Sequence, residues 1–257
     1  MFVCAYKDGG SRAYGIIEGN DVYHCPGDIF SVPLTKTNRV GSITDIQLLA
    51  PVTPSKLLCI GRNYLAHAHE RGEEVPTEPL LFLKPPSSIA DPGEPIRLLP
   101  NMGRVDHEAE LAVVIGKRGR FIHEADASDY IFGYTCANDI SARDYQASDG
   151  QWSRAKGFDT FCPLGPWIST ELDVSHLRIT CTVNQELRQE GNTDEMVFKI
   201  PLLITYLSRI MTLEPGDVIL TGTPAGIGPV NVGNVVVVEI EGIGSLSNPV
   251  ELLTPPA

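Results

Sequence analysis

The chain has 257 residues, 42% of them hydrophobic and 20% charged, which suits one large globular domain or one domain with a small appendage. Against 20 basic residues stand 32 acidic ones, and the net charge of −12 argues against nucleic acid and against an anionic membrane surface as partners. No apolar stretch approaches the length of a membrane span, and residues 1–7 lack the basic start and long apolar region of a signal peptide, so a cytoplasmic protein is expected. The six cysteines, at positions 4, 25, 59, 136, 162 and 181, are scattered without a CxxC and read as reduced, buried thiols.

Residues 1–50 read as short strands with turns at Asp8-Gly9-Gly10, Gly19-Asn20-Asp21 and Pro26-Gly27-Asp28, a small β-rich N-terminal domain. Pro51-Val52-Thr53-Pro54 is a joint, which leaves 51–257 as the main domain. A buried strand is expected over 56–61, a short helix over 64–71 ended by Gly72, and a strand over 80–85. Residues 86–104 read as loop, 108–115 as strand, 125–130 as a short helix and 131–138 as strand. Residues 141–160 are polar and irregular, and 174–184 alternate as a strand. Ile200, Leu203, Ile204, Leu207 and Ile210 have helical spacing. A turn at 213–217 leads into a strand at 218–220, and 235–240 is the last clear strand. Strands dominate, so the expected class is α+β and β-rich.

The chemistry concentrates in a few places. Glu108 and Glu110 stand two apart at the head of the apolar run 111–116, so on a strand both carboxylates leave from one face. Burying like charges that close is costly unless a cation neutralises them, and a hard divalent ion with oxygen ligands does so. Asp139, among small and apolar neighbours, is a third such carboxylate, and the three together suit Mg2+ or Mn2+. The wet face of an edge strand is the alternative for the pair. His67 and Glu70, three apart on the predicted helix, form either an oriented general base or a chance pair on a solvated helix, with His69 nearby. Lys156 is either a surface lysine or a group that stabilises an enolate. Arg143 and Gln146 fall on the side of Asp139 if their segment is helical, and an arginine there suits a substrate carboxylate; a solvated loop is the alternative. The small-residue loop 221–228 can bring backbone N–H groups to an anion but lacks the Gly-Lys-Ser/Thr of a P-loop.

Taken in order, Gly61-Arg62-Asn63-Tyr64 with His67 and Glu70, Phe82-Leu83-Lys84-Pro85, Glu108-Ala109-Glu110-Leu111, Asn138-Asp139 with Ser141-Ala142-Arg143-Asp144 and Gln146, Ala155-Lys156-Gly157-Phe158 and Thr221-Gly222-Thr223-Pro224 resemble the fumarylacetoacetate hydrolase superfamily over about residues 56–250. The likeness is greatest to its short members, the acylpyruvate hydrolases, oxaloacetate decarboxylases, and the isomerases and decarboxylases of homoprotocatechuate breakdown. The resemblance implies a catalytic domain on a rolled mixed β-sheet with few helices, usually homodimeric. It implies Glu108, Glu110 and Asp139 as ligands of Mg2+ or Mn2+, and His67 and Glu70 as a water-activating dyad on a segment that orders over substrate. Lys156 would stabilise the oxyanion or enolate, and Arg62, Tyr64, Arg143, Gln146 and Thr223 would contact substrate. Some members carry an acidic residue just before the histidine, where this chain has Ala66, so a four-carboxylate site is not expected.

The implied reaction is hydrolysis of a C–C bond in an acylpyruvate-type 2,4-dioxo acid, such as fumarylpyruvate or acetylpyruvate, through a metal-bound enolate. The same residues serve a 2-hydroxyhepta-2,4-diene-1,7-dioate isomerase, a 5-oxopent-3-ene-1,2,5-tricarboxylate decarboxylase or an oxaloacetate decarboxylase. A non-catalytic metal-binding β protein is the reading from another class.

Overall fold

The computed structural model describes residues 1–31, 33–70, 74 and 76–254. Its frame is a mixed twelve-stranded sheet with smaller sheets of five and three strands. The centre of the large sheet is the strand Ala109–Ile115, buried at every position. It pairs antiparallel with Ile131–Asn138 on one side and with Val218–Leu220 on the other. Val218–Leu220 in turn runs parallel to Leu57–Gly61, and Leu80–Lys84 closes that edge. Such strands, covered on both faces, need continuous apolar runs rather than alternation, as Leu-Ala-Val-Val-Ile supplies at 111–115.

The five-stranded sheet packs over the large one, and their facing side chains form the main core. That core includes Ile179, Cys181, Val236, Val238 and Leu246 from the smaller sheet and Leu111, Val113 and Cys136 from the larger. The helix Ile200–Ile210 lays Ile200, Leu203, Ile204 and Leu207 into the same core. Pro201 near its start costs no helical hydrogen bond. All six cysteines are buried and free, as expected. Among the described residues no helix is long and apolar enough to cross a membrane.

The expected α+β, β-rich class holds, with several differences in detail. The segment 86–104 carries a 3-10 turn at Pro86–Ser88 and short strands at Ile89–Ala90 and Ile96–Leu98. The segment 141–160 folds into helices Arg143–Asp149 and Ser153–Lys156, the first ended by Gly150 in the left-handed conformation. Strands at Cys162–Ser169, Glu186–Asn192 and Gly244–Leu252 were not expected, so 235–240 is not the last. The predicted strand 174–184 is shorter, Arg178–Val183, and the predicted helix at 125–130 is a 3-10 helix, Glu124–Tyr130. The helix expected over 64–71 is present as Leu65–Glu70; its expected end at Gly72 lies outside the described residues. The strands of residues 1–50 extend the large sheet, because Phe2–Asp8 pairs with Cys162–Ser169. They also carry apolar clusters of their own, one around Val3, Ile16, Cys25 and Ile29.

Candidate active site

Register brings the carboxylates together. Ala109 pairs with Asn138 and Glu110 with Ala137, so Glu108 and Asp139 face each other just beyond the paired residues. The Asp139 N–H donates to the Glu108 carbonyl at 2.8 Å, and the Glu108 N–H donates to the Asn138 side-chain oxygen at 2.9 Å. Oxygens of Glu108, Glu110 and Asp139 lie within 4.8 Å of one another, and all three residues are buried. This carboxylate cluster can bind a metal ion, and its all-oxygen donor set suits a hard divalent cation.

Cations are packed against the cluster from three directions. The Lys156 ammonium donates to Glu108 Oε2 at 2.7 Å and to Asp139 Oδ2 at 2.6 Å. Lys84, 1% exposed, donates to Asp139 Oδ1 at 2.7 Å and to the Ile140 carbonyl at 3.3 Å. Arg143 donates from Nη2 to Glu108 Oε1 at 2.5 Å, from Nε to Asp106 Oδ2 at 2.7 Å, and from Nη1 to Gln146 Oε1 at 2.9 Å. Burial pushes the Glu108 carboxyl up, but Lys156 and Arg143 outweigh it and hold the group below the usual carboxylate range. Glu110 forms no ion pair among the described residues: burial, then the charges of Asp139 and Glu108, outweigh the charge of Lys156 and push its carboxyl well above the usual range. Burial pulls the Lys156 ammonium down, and Asp139 and Glu108 more than restore it.

The expected dyad is adjacent to this cluster. His67 lines the same pocket, and its Nδ1 lies 3.4 Å from Glu70 Oε2. The Glu70 carboxylate also accepts the Gly226 N–H at 3.2 Å. Four residues earlier, the Gly222 N–H donates to Glu110 Oε2 at 2.6 Å. The loop 221–228 therefore aims two amides at two carboxylates of this chain, Glu110 and Glu70. Both glycines have positive φ, and a Cβ on Gly226 would come within 2.2 Å of the Arg188 carbonyl.

Arg62, Gln146 and Thr223 line the pocket with His67, Lys156 and the three carboxylates. Arg62 has a left-handed backbone, φ 59°, uncommon for a residue with a side chain. The Thr223 hydroxyl donates to the Ala109 carbonyl at 2.8 Å and accepts from Gln189 at 2.7 Å. Tyr64 is not brought to the pocket: it is 1% exposed within the main apolar core. Arg143, the first residue of the helix Arg143–Asp149, also lines the pocket, with its guanidinium paired to Asp106 and Glu108.

Several contributors were missed from sequence. Lys84 carried a signal, since a lone lysine in Leu80-Leu81-Phe82-Leu83-Lys84 must find a carboxylate if the strand is buried. Asp106 continues the two-residue spacing back from Glu110 and Glu108, and it is fully buried. Phe82 and Trp152 meet edge to face at 5.1 Å and form an apolar wall of the pocket with Ile60. Their pairing joins distant segments and has no local sequence mark.

The chain is similar in sequence and in fold to several known proteins. The chain is 49% identical over 230 residues to a mitochondrial oxaloacetate tautomerase of Xenopus laevis, covering 84% of this chain and 72% of that protein. Among solved structures it is similar to 5-carboxymethyl-2-hydroxymuconate delta-isomerase from Mycobacterium smegmatis, with a TM-score of 0.92, 42% identity and coverage of 98% of this chain and 100% of that one. It is also similar to maleylpyruvate hydrolase from Sphingobium sp. SYK-6, solved with manganese(II) and pyruvate, with a TM-score of 0.83, 32% identity and coverage of 99% and 100%. The family model for the fumarylacetoacetate hydrolase C-terminal domain matches residues 56–251, and the chain belongs to that family.

Proposed function

We propose that this enzyme hydrolyses the C3–C4 bond of a small acylpyruvate-type 2,4-dioxo acid by way of a pyruvate enolate. The observation that carries the reading is the pairing of His67 with Glu70 in the same pocket as the carboxylate cluster and the buried Lys156. Glu108, Glu110 and Asp139 would hold the ion, Mg2+ or Mn2+. They fit it because they are buried oxygen donors and because Glu110, which receives the Gly222 N–H, has no ammonium or guanidinium partner among the described residues. The ion supplies Lewis acidity toward the 2-oxo group.

The remaining chemistry belongs to the chain. His67, oriented by Glu70, takes a proton from water as the water oxygen bonds to the C4 carbonyl carbon. The C3–C4 bond breaks and its electron pair stays with C3 as the enolate. The Lys156 ammonium offsets the negative charge on the enolate oxygen. The proton returns from His67 to C3, giving pyruvate and a carboxylic acid. Arg143 holds Glu108 in place, while Arg62, Gln146 and Thr223 face the substrate. By resemblance we expect a homodimer, with residues 1–50 as an appendage to the catalytic part at 51–257; light scattering on the purified protein tests the assembly.

A second reading is favoured by the likeness to an oxaloacetate tautomerase. There the proton moves between C3 and the C2 oxygen: a C3–H bond is exchanged for an O–H bond, with no attacking water and no carbon–carbon bond broken. One assay separates the readings. Acetylpyruvate, fumarylpyruvate and oxaloacetate are offered to metal-stripped protein with and without Mg2+ or Mn2+. Metal-dependent pyruvate from the acylpyruvates supports hydrolysis. Loss of the enol absorbance of oxaloacetate without pyruvate supports tautomerisation, and pyruvate from oxaloacetate alone points to decarboxylation.

A further inference from the structure

The strand Glu186–Asn192 is mostly exposed, yet Gln189 within it is fully buried. A register shift explains how. Cys181 pairs with Gln189 and Thr182 with Leu187, so Arg188 is an extra residue and the strand bulges there. Bulges re-aim side chains and cluster beside active sites. This one sends the Gln189 carboxamide under the pocket, where all its hydrogen-bonding capacity is used. Oε1 accepts from the Ala109 N–H at 3.0 Å and from His107 Nδ1 at 2.9 Å. Nε2 donates to Thr223 Oγ1 at 2.7 Å and to the Pro224 carbonyl at 2.9 Å. The backbone partners fix the orientation of the amide, since Ala109 N–H only donates and the Pro224 carbonyl only accepts.

We propose that Gln189 is a positioning residue for the metal centre: it fastens the residues on both sides of Glu108 to the loop whose amides hold Glu110 and Glu70. The inference rests on the reading that Glu108, Glu110 and Asp139 bind a divalent ion. The two sides of the bridge are otherwise separate in sequence by more than a hundred residues, and no other side chain among the described residues hydrogen-bonds both Ala109 N–H and the Pro224 carbonyl. The fit of hairpin and loop is close. A Cβ on Gly226 would strike the Arg188 carbonyl at the bulge, and a Cβ on Gly191 would come within 2.4 Å of Pro224. Loop and strand are also joined by Thr223 Oγ1 on the Ala109 carbonyl and by Thr221 on the Leu111 carbonyl, so the share of the carboxamide is to hold Thr223 and Pro224, next to the Gly222 amide on Glu110, against the residues that flank Glu108.

Gln189→Glu tests this with little change of shape. One carboxylate oxygen still accepts from Ala109 and His107, while the other opposes the Pro224 carbonyl, so the strand side is kept and the loop side lost. Gln189→Met removes both sides. Mn2+ binding is measured calorimetrically on the full metal-stripped chain, with Mn2+ electron paramagnetic resonance as a second readout. The expected result is Mn2+ binding weaker by about 10- to 100-fold in both variants, as for other residues that support metal ligands, with an altered resonance line shape at saturating metal. Folded variants that bind Mn2+ within twofold of the parent with an unchanged line shape overturn the proposal. So does failure of both variants to fold at saturating Mn2+, which makes Gln189 a residue of the fold alone. Absence of Mn2+ binding in the parent protein instead overturns the metal reading itself.

Discussion

Lys84→Met is the perturbation whose effect the structure sets most directly. Methionine is close to lysine in length and apolar, so the shape of the strand Leu80–Lys84 is kept and the charge removed. The side chains of Lys84 and Asp139 are both fully buried, and their contact is 2.7 Å. Removing one partner of a buried pair costs roughly 3–5 kcal/mol, because the other charge is left without compensation. Asp139 keeps its contact with Lys156 through Oδ2, which places the expected loss near the lower end, about 3 kcal/mol. For a chain of this size that corresponds to a fall in Tm of about 6–12 °C. Differential scanning calorimetry of metal-stripped parent and variant reads it, and saturating Mn2+ should restore part of the loss by returning positive charge beside Asp139. A variant that melts within about 2 °C of the parent would refute the reasoning, since the Lys84–Asp139 contact would then carry no net stabilisation.

Other outcomes follow from the same site. Glu110 is raised in the fold by burial and by its acidic neighbours, so its neutral form favours folding. That contribution is fully present below the ordinary glutamate range and is lost as pH rises through the folded value; metal-stripped protein should lose stability on that rise, and Mn2+ uptake should release a proton and strengthen with pH. Calorimetric titration in buffers of different ionisation heat checks it, and uptake with no proton released would contradict it. His67→Ala should slow pyruvate release from an acylpyruvate by about 10²–10⁴-fold, the range for a general base, and slow oxaloacetate enol–keto exchange less; equal losses would remove water activation from the account. Asn63 donates to the Phe198 and Thr221 carbonyls and accepts the Phe198 N–H, all buried, so Asn63→Leu should cost about 2–4 kcal/mol in denaturant unfolding; a change below about 1 kcal/mol would mean that these groups find other partners.

Much of the frame was legible because it rests on local signals. The apolar run at 111–115, the helical spacing at 200–210 and the strand at 131–138 each carry their period in the chain, and each element forms where expected. The acidic pair at 108 and 110 was readable for the same reason, and register with 131–138 then adds Asp139. The strand Glu186–Asn192 was not legible, since its exposed, charged positions carry no apolar period and only its pairing with Arg178–Val183 makes it a strand. Gly244–Leu252 was missed because Asn248 interrupts the apolar face of Leu246 and Val250, although Asn248 is buried with its amide on the Asp91 and Glu94 carbonyls. At the site, Tyr64 lies two residues after Arg62, which lines the pocket, but it turns into the core, where Ile60 and Met196 lie in the same apolar cluster. Nothing in the local sequence separates those two directions.

The central claim is that Glu108, Glu110 and Asp139 act as one divalent-cation site. Equilibrium titration of Mn2+ into metal-stripped protein, with Glu110→Gln in parallel, tests it most directly. Glu110 is the informative position because its side chain accepts the Gly222 N–H and forms no ion pair among the described residues, so the amide disturbs its surroundings least. One Mn2+ per chain in the parent, and binding weakened at least tenfold in the variant, is the predicted result. No binding by the parent, or equal binding by both, would contradict it.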